Sequence, residues 1–274
     1  MAIPLTRTGV PVIDSTVGGI LTHQLTLVAG DPGAGKTWVA LGFACAALER
    51  DESVHYLTDT PLHALYAQAA QYLGRDLGPH LRSGRLTLQI LEPGGAHPFP
   101  ELSSRLRGRG VRNLVLDPID ALLRPSEGTG GLERALVQEL VALGVTCLAT
   151  TPTEAGARTT GGKHAAARAS AQFELVERSG ERILWVREAL WSPHGGEAFS
   201  VDLVPGVGAM PGPAVEAPPS HDPAIAGELH AYLTAVVDEP APMLQPVLMP
   251  LWKANDQAEW LAGGRHRFRA AGGE

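Results

Sequence analysis

The run Gly30-Asp31-Pro32-Gly33-Ala34-Gly35-Lys36-Thr37 is the stretch of this chain whose residue types and spacing most plainly suit a chemical task. It fits G-x-x-x-x-G-K-[ST], in which glycines let the backbone curl so that successive N–H groups point inward at phosphate oxygens. A helix starting at Thr37 would add its positive dipole end. Lys36 is then placed to reach the β and γ phosphates, and the Thr37 hydroxyl to ligate Mg²⁺. The candidate contacts to a bound nucleotide, read as ATP, are Gly30, Asp31, Pro32, Gly33, Ala34, Gly35, Lys36, Thr37 and the adjoining Trp38. Lysine use points the same way. Of 22 lysines and arginines only Lys36, Lys163 and Lys253 are lysines, so a chain that prefers arginine keeps lysine where a slim point charge must thread a loop.

Such a loop needs a carboxylate at the end of a neighbouring strand to hold the Mg²⁺ hydration shell. Asn113-Leu114-Val115-Leu116-Asp117 supplies one, with Pro118 stopping the strand. The expected metal residues are therefore Thr37 and Asp117. Asp120 competes with Asp117, but the carboxylate should terminate the strand rather than follow it, and Asp120 suits a helix cap better.

Up to about residue 204, short β-rich runs alternate with longer helical patterns, the rhythm of an α/β protein with a mostly parallel sheet. Strands are expected at residues 25–29, 54–58, 86–91, 113–117, 145–150, 173–177 and 183–187, and helices at 37–50, 61–73, 101–108 and 132–143. Ser179-Gly180 is a turn signal, so the sheet should end in an antiparallel hairpin. Residues 205–250 then hold ten of the 22 prolines. This change predicts a domain edge near 205, a proline-rich linker over 205–223 and a short helical C-terminal segment over 224–274 that engages a protein partner. The basic end, Arg265 to Arg269, reads by default as a solubilising tail, and otherwise as a dock for an acidic partner or nucleic acid.

Composition excludes several classes. With 22 basic and 29 acidic residues the net charge is −7, which gives polyanions such as duplex DNA or an acidic membrane no general attraction. Hydrophobic residues make up 44% of the chain, enough for a sizeable core. Cys45 and Cys147 sit in apolar runs without metal-ligand spacing and read as core thiols, and the ten histidines are scattered singly. No run approaches the roughly 20 apolar residues of a spanning helix, and the N-terminus lacks a secretory pattern, so a cytoplasmic protein without membrane contact is expected.

Around the loop the chain resembles a known family. Thr8-Gly9 with Asp14, then Gly18-Gly19-Ile20-Leu21, resemble the T-G-(x)-D and G-G-(I/L) prelude of KaiC-like ATPases in the RecA superfamily. Leu57-Thr58-Asp59-Thr60-Pro61 stands in place of that family's F-E-E-T-P, Gly84-Arg85-Leu86 resembles its G-K-L, and Cys147 to Thr151 its strand after the acidic one. The likeness covers about residues 6 to 204. It implies one RecA-like P-loop domain, a central mostly parallel sheet with helices on both faces ending in an antiparallel hairpin, binding ATP and Mg²⁺. It also implies a homo-oligomer, with a hexameric ring among its forms.

The departures from the family bear on activity. Thr58 and Asp59 occupy the places of the paired glutamates that act on the attacking water, leaving one carboxylate, a methylene shorter. General-base help is worth roughly 10²- to 10⁴-fold, so hydrolysis should be slow while binding persists. Asp59 reads equally as a turn or cap before the helix at Pro61. The family's late lysine and arginine, offered to a neighbouring subunit, fall at Trp185 and Arg187, which leaves Arg187 as an arginine finger or a surface arginine. The clock proteins' Ser-Thr phosphorylation sites fall at Ala167-Arg168, so autokinase activity is not expected. The catalytic candidates are Asp59, Lys36 and Arg187. The polar loop Arg158 to His164 could touch single-stranded nucleic acid, but it carries no aromatic platform and a solvated loop is the favoured reading. Three functions follow: a slow, oligomer-coupled ATPase, a nucleotide-sensing regulatory or scaffold module with little or no hydrolysis, or a RecA-like protein that binds single-stranded DNA.

Overall fold

A computed structural model of the chain describes residues 4–91, 99–121, 138–153 and 169–217. The elements run β1 (Leu5–Thr6), α1 (Pro11–Val17), β2 (Ile20–Leu21), β3 (Leu25–Gly30), α2 (Lys36–Glu49), β4 (Val54–Thr58), α3 (Leu62–Leu73), α4 (Gly78–Arg82), β5 (Leu86–Ile90), α5 (Phe99–Arg109), β6 (Asn113–Asp117), β7 (Thr146–Pro152), β8 (Ala171–Arg178), β9 (Glu181–Ala189), β10 (Ala198–Val204) and β11 (Gly208–Val215). A 3-10 turn follows β6 at Ile119–Ala121, and residues 138–143 are helical.

Nine strands form one sheet in the order β11-β10-β9-β8-β3-β7-β6-β4-β5. The six from β8 to β5 are parallel, and β9, β10 and β11 are added antiparallel. The inner strands β4 and β6 are buried along their whole length, as strands covered on both faces must be. One face packs Val28, Tyr56, Val115, Leu148 and Phe173 against α1, α2 and α3. The other packs Leu27, Leu57, Leu116 and Ala149 with Leu102 and Leu106 of α5 and Leu140. The fold is thus the expected α/β type, a mostly parallel sheet with helices on both faces.

Most elements stand within a residue or two of where periodicity put them. The final hairpin, β8 to β9 across Ser179-Gly180, is as expected but is extended by two further strands. The stretch from Pro205, expected to be linker, instead carries β11, and the compact unit containing it runs to Pro218. Pro211 and Pro213 mislead the sequence reading because proline is tolerated in an edge strand, and β11 is the edge of this sheet. The expected C-terminal helical segment, the loop 158–164 and the start of the helix at 132–143 lie outside the described residues.

The helix after the phosphate loop, α2, is buried almost all round, because the sheet lies on one side and the N-terminal segment on the other. Small residues make this possible. A Cβ on Gly42 would stand 2.9 Å from Val10 Cγ2, and one on Gly9 only 2.5 Å from Ala46 Cβ. Gly9 also has φ +69°, a left-handed backbone that favours glycine. Asp14 holds this close approach: one carboxylate oxygen accepts from Thr8 N–H and Oγ1, both at 2.8 Å, and the other from Gly9 N–H at 2.9 Å. The T-G…D prelude is therefore a clamp on α2. Both cysteines are buried, and burial pushes the Cys45 thiol up to about 11 and Cys147 higher still.

Gly9→Ala should destabilise the protein by about 1–3 kcal/mol, through overpacking against Ala46 and a strained backbone. Urea unfolding should show a lower midpoint with an unchanged slope; an unchanged midpoint would mean that α2 is not clamped in this way.

Candidate phosphate site and its acidic neighbours

Strand β3 ends at Gly30, where a Cβ would lie 2.6 Å from the Leu175 carbonyl oxygen, so only glycine lets β8 pass this close. The chain then turns through Gly33 at φ +84° and Gly35 at φ +106° before entering α2. Nothing lies within 4 Å of a Cβ built on either residue, so the loop opens a cradle on the C-terminal edge of the sheet. Here open α/β sheets bind their ligands. Lys36 arches back over the loop, its Nζ donating to the carbonyls of Gly30 at 2.7 Å and Asp31 at 2.8 Å. Partial burial pulls the Lys36 pKa below its ordinary value, opposed by the charges of Asp117, Asp31 and Asp120. Asp31 is tied in turn to the end of β7, accepting from Thr153 Oγ1 at 2.6 Å.

Asp117 stands where the sequence places it, at the last position of β6, only 4% exposed. Two neighbouring strands supply hydroxyls to it. Tyr56 of β4 donates to Oδ2 at 2.8 Å, and Thr150 of β7 donates to Oδ1 at 2.5 Å. Complete burial and then the nearby Asp117 charge push the Tyr56 phenol well above its ordinary pKa. Asp120 belongs to the 3-10 turn and accepts from Thr151 Oγ1 at 2.7 Å, on the other face of β7. The strand-ending position thus separates the two aspartates as expected. The donor set around the loop, the Thr37 hydroxyl with Asp117 and its neighbouring carboxylates, is all hard oxygen, the chemistry that suits Mg²⁺.

At the family's catalytic positions, Thr58 is fully buried beside Asp117 in the parallel register, its Oγ1 accepting from Thr60 N–H at 3.0 Å. Asp59 is exposed at the strand end. Limited hydration and then the charge of Asp117 raise its pKa above the ordinary value, so it lies within electrostatic reach of the acidic residue. Arg187 is not brought to this cluster. It lies on β9, where its Nε donates to Glu174 Oε2 of β8 at 2.6 Å and its guanidinium carbon sits 3.9 Å from the centre of the Trp185 ring. Glu174 is nearly buried and Arg187 partly exposed. Trp38, one residue into α2 beyond Thr37, packs on Tyr72 of α3 with ring centres 4.2 Å apart.

Sequence reasoning missed Tyr56, Thr150 and Glu174. A signal existed for each. Polar groups stand in otherwise apolar buried strands, and Tyr56 lies two residues before Thr58, hence on the same face as Asp117's partner position.

Comparison with known proteins decides the family. The model of the KaiC ATPase family matches residues 6–194. The chain belongs to the KaiC ATPase family. A UPF0273 protein of Pyrobaculum aerophilum is 23% identical over 59% of this chain, which spans 65% of that relative's length. A KaiC-like protein of Pyrococcus horikoshii, whose crystal structure is known, superposes with a TM-score of 0.65 at 20% identity, over 77% of this chain and all of that one. This KaiC-family chain is a P-loop nucleotide-binding protein of RecA-like fold. Among its described residues no helix is long and apolar enough to cross a membrane.

Removing Arg187 would leave the nearly buried Glu174 carboxylate without its cation. Arg187→Ala should therefore cost about 1–3 kcal/mol of stability, visible as a lower urea midpoint, while Glu174→Gln with Arg187 retained should cost less. Equal stability of Arg187→Ala and the parent would show that the pair contributes nothing to the fold.

Proposed function

We propose that this protein binds ATP with Mg²⁺ at Gly30–Thr37 and hydrolyses it slowly, in step with self-assembly. The observation that carries the reading is the open glycine cradle between β3 and α2 with Lys36 drawn into it. Backbone N–H groups of the loop and the start of α2 hold the phosphates, and Trp38 flanks them. Lys36, released from the carbonyls of Gly30 and Asp31, transfers its hydrogen bonds to phosphate oxygens. Thr37 would ligate Mg²⁺ and Asp117 would hold its water shell, and the ion, when bound, would supply charge neutralisation at the phosphates. Asp59, near Asp117 at the strand end, orients the attacking water. With its side chain exposed and Thr58 in the other glutamate's place, this help is weak and turnover slow.

Arg187 completes the site of a neighbouring copy in an assembled ring. Its Nε is engaged by Glu174, and the outer guanidinium nitrogens remain for that contact. A nucleotide-sensing module that scarcely hydrolyses ATP is the second reading, favoured by the buried Thr58 hydroxyl, which occupies a backbone N–H and offers no base. Binding through the C-terminal segment to a protein partner, and a cytoplasmic location, accompany both readings.

Calorimetric titration with ATP and Mg²⁺ should show saturable binding that is lost in Lys36→Ala. Phosphate release should be measurable above the Lys36→Ala background and fall in Asp59→Ala by up to about 10²-fold, the lower end of general-base help. Binding without turnover would replace the first reading by the second, and no binding at all would remove both. Sedimentation with and without nucleotide should show assembly that depends on ATP.

A further inference from the structure

We propose that Asp31 is a specificity-determining residue: a negative charge built into the phosphate loop that weakens its hold on metal-free polyphosphate, and so makes nucleotide binding depend on Mg²⁺. The inference rests on the ATP·Mg²⁺ reading above. The loop pattern leaves its second position open to any residue, and in this chain that position holds an aspartate. Its carboxylate is tied down. Thr153, just past the end of β7, donates from Oγ1 to Asp31 Oδ1 at 2.6 Å and from its backbone N–H to the Gly30 carbonyl at 3.0 Å. A hydroxyl is a neutral partner, so it aims the acid without cancelling its charge. The backbone of the same residue is engaged as well, its carbonyl accepting from Lys36 Nζ at 2.8 Å and from Ala34 N–H at 3.1 Å.

The charge reaches the group that meets phosphate. Partial burial pulls the Lys36 pKa down, and the charges of Asp117, Asp31 and Asp120 act against that pull. Of these three carboxylates, Asp31 alone belongs to the loop itself. Phosphate oxygens that take over the hydrogen bonds of Lys36 come within the same range, and for them the sign reverses: what attracts the ammonium group repels the ligand. This repulsion grows with ligand charge. A metal-free triphosphate bears it in full, whereas bound Mg²⁺ cancels part of the ligand's charge and relieves it. Asp31 thus costs a metal-bound nucleotide little and a free one much.

The test titrates the full chain by calorimetry with the imidodiphosphate analogue of ATP, in EDTA and in Mg²⁺. Asp31→Asn keeps the shape and an acceptor for Thr153 while removing the charge, and Asp31→Ser removes it with a smaller side chain. Both should tighten binding in EDTA by about ten-fold, the scale of one partly screened charge interaction, and in Mg²⁺ by about two-fold or less. Thr153→Val keeps the charge and deletes only the hydroxyl, so its ratio of affinities in the two conditions should be parental. If neither Asp31 variant raises the affinity in EDTA, or if both raise it equally in the two conditions, the proposal is overturned while binding by the parent in Mg²⁺ still stands. A change in Thr153→Val that matches Asp31→Asn overturns it too, because anchoring of the loop rather than charge then sets the affinity. If the parent binds the analogue in neither condition, the ATP reading falls and this proposal with it.

Discussion

A helix enclosed on nearly every side cannot slide or tilt without breaking close contacts, and α2 is enclosed in this way. Interiors are packed densely enough to transmit even small displacements. The Gly9–Ala46 and Gly42–Val10 approaches set its height above the sheet, and Asp14 prevents the N-terminal segment from lifting away. The sheet fixes its other flank. The loop Gly30–Thr37 is therefore suspended between two immobile ends, β3 at the centre of the sheet and α2 against its face. Its open backbone is a consequence of this suspension, and glycine at 33 and 35 is what lets the chain bridge the gap.

The same parallel sheet aligns the acidic side of the site. Strands β4, β6 and β7 end together on one edge, and parallel register places Thr58 beside Asp117 and Leu116 beside Ala149, one residue before Thr150. Alternation along each strand then sends Tyr56, Asp117 and Thr150 to one face. Three residues distant in sequence meet because the strands that carry them are in step, and a slip of one residue in β6 would turn Asp117 to the other face. The site is a property of sheet register as much as of the loop motif.

This explains which parts were legible beforehand. The phosphate loop and Asp117 announce themselves locally, since a glycine pattern and a strand-ending aspartate need no knowledge of partners. The parallel core strands were equally plain, as short apolar runs separated by helical periodicity. Tyr56 and Thr150 were not, because their meaning depends on register with Asp117, 61 and 33 residues away in sequence. Strand β11 was hidden for a different reason. Pro211 and Pro213 argue against a strand in general and are compatible only with an edge, and which strand forms the edge is a fact of topology. The prelude Thr8, Gly9 and Asp14 was recognisable by resemblance, but its role as a clamp on α2 became visible only with the hydrogen bonds.

The two departures from the family pattern share a physical character. At position 58 a hydroxyl satisfies the local turn through Thr60 N–H and occupies a fully buried place beside Asp117. A glutamate there would carry a second negative charge into the same buried region, and like charges at short range raise one another's pKa and oppose ionisation. At position 185 an indole covers the sheet face and supports Arg187 by stacking, with the guanidinium carbon 3.9 Å from the ring centre. A lysine there would instead add a second cation beside Arg187, with Glu174 to share between them. Both positions hold a neutral group where the family pattern carries a charge. The slow turnover proposed for this protein rests on the neutral groups at positions 58 and 185 rather than on any defect in the phosphate loop.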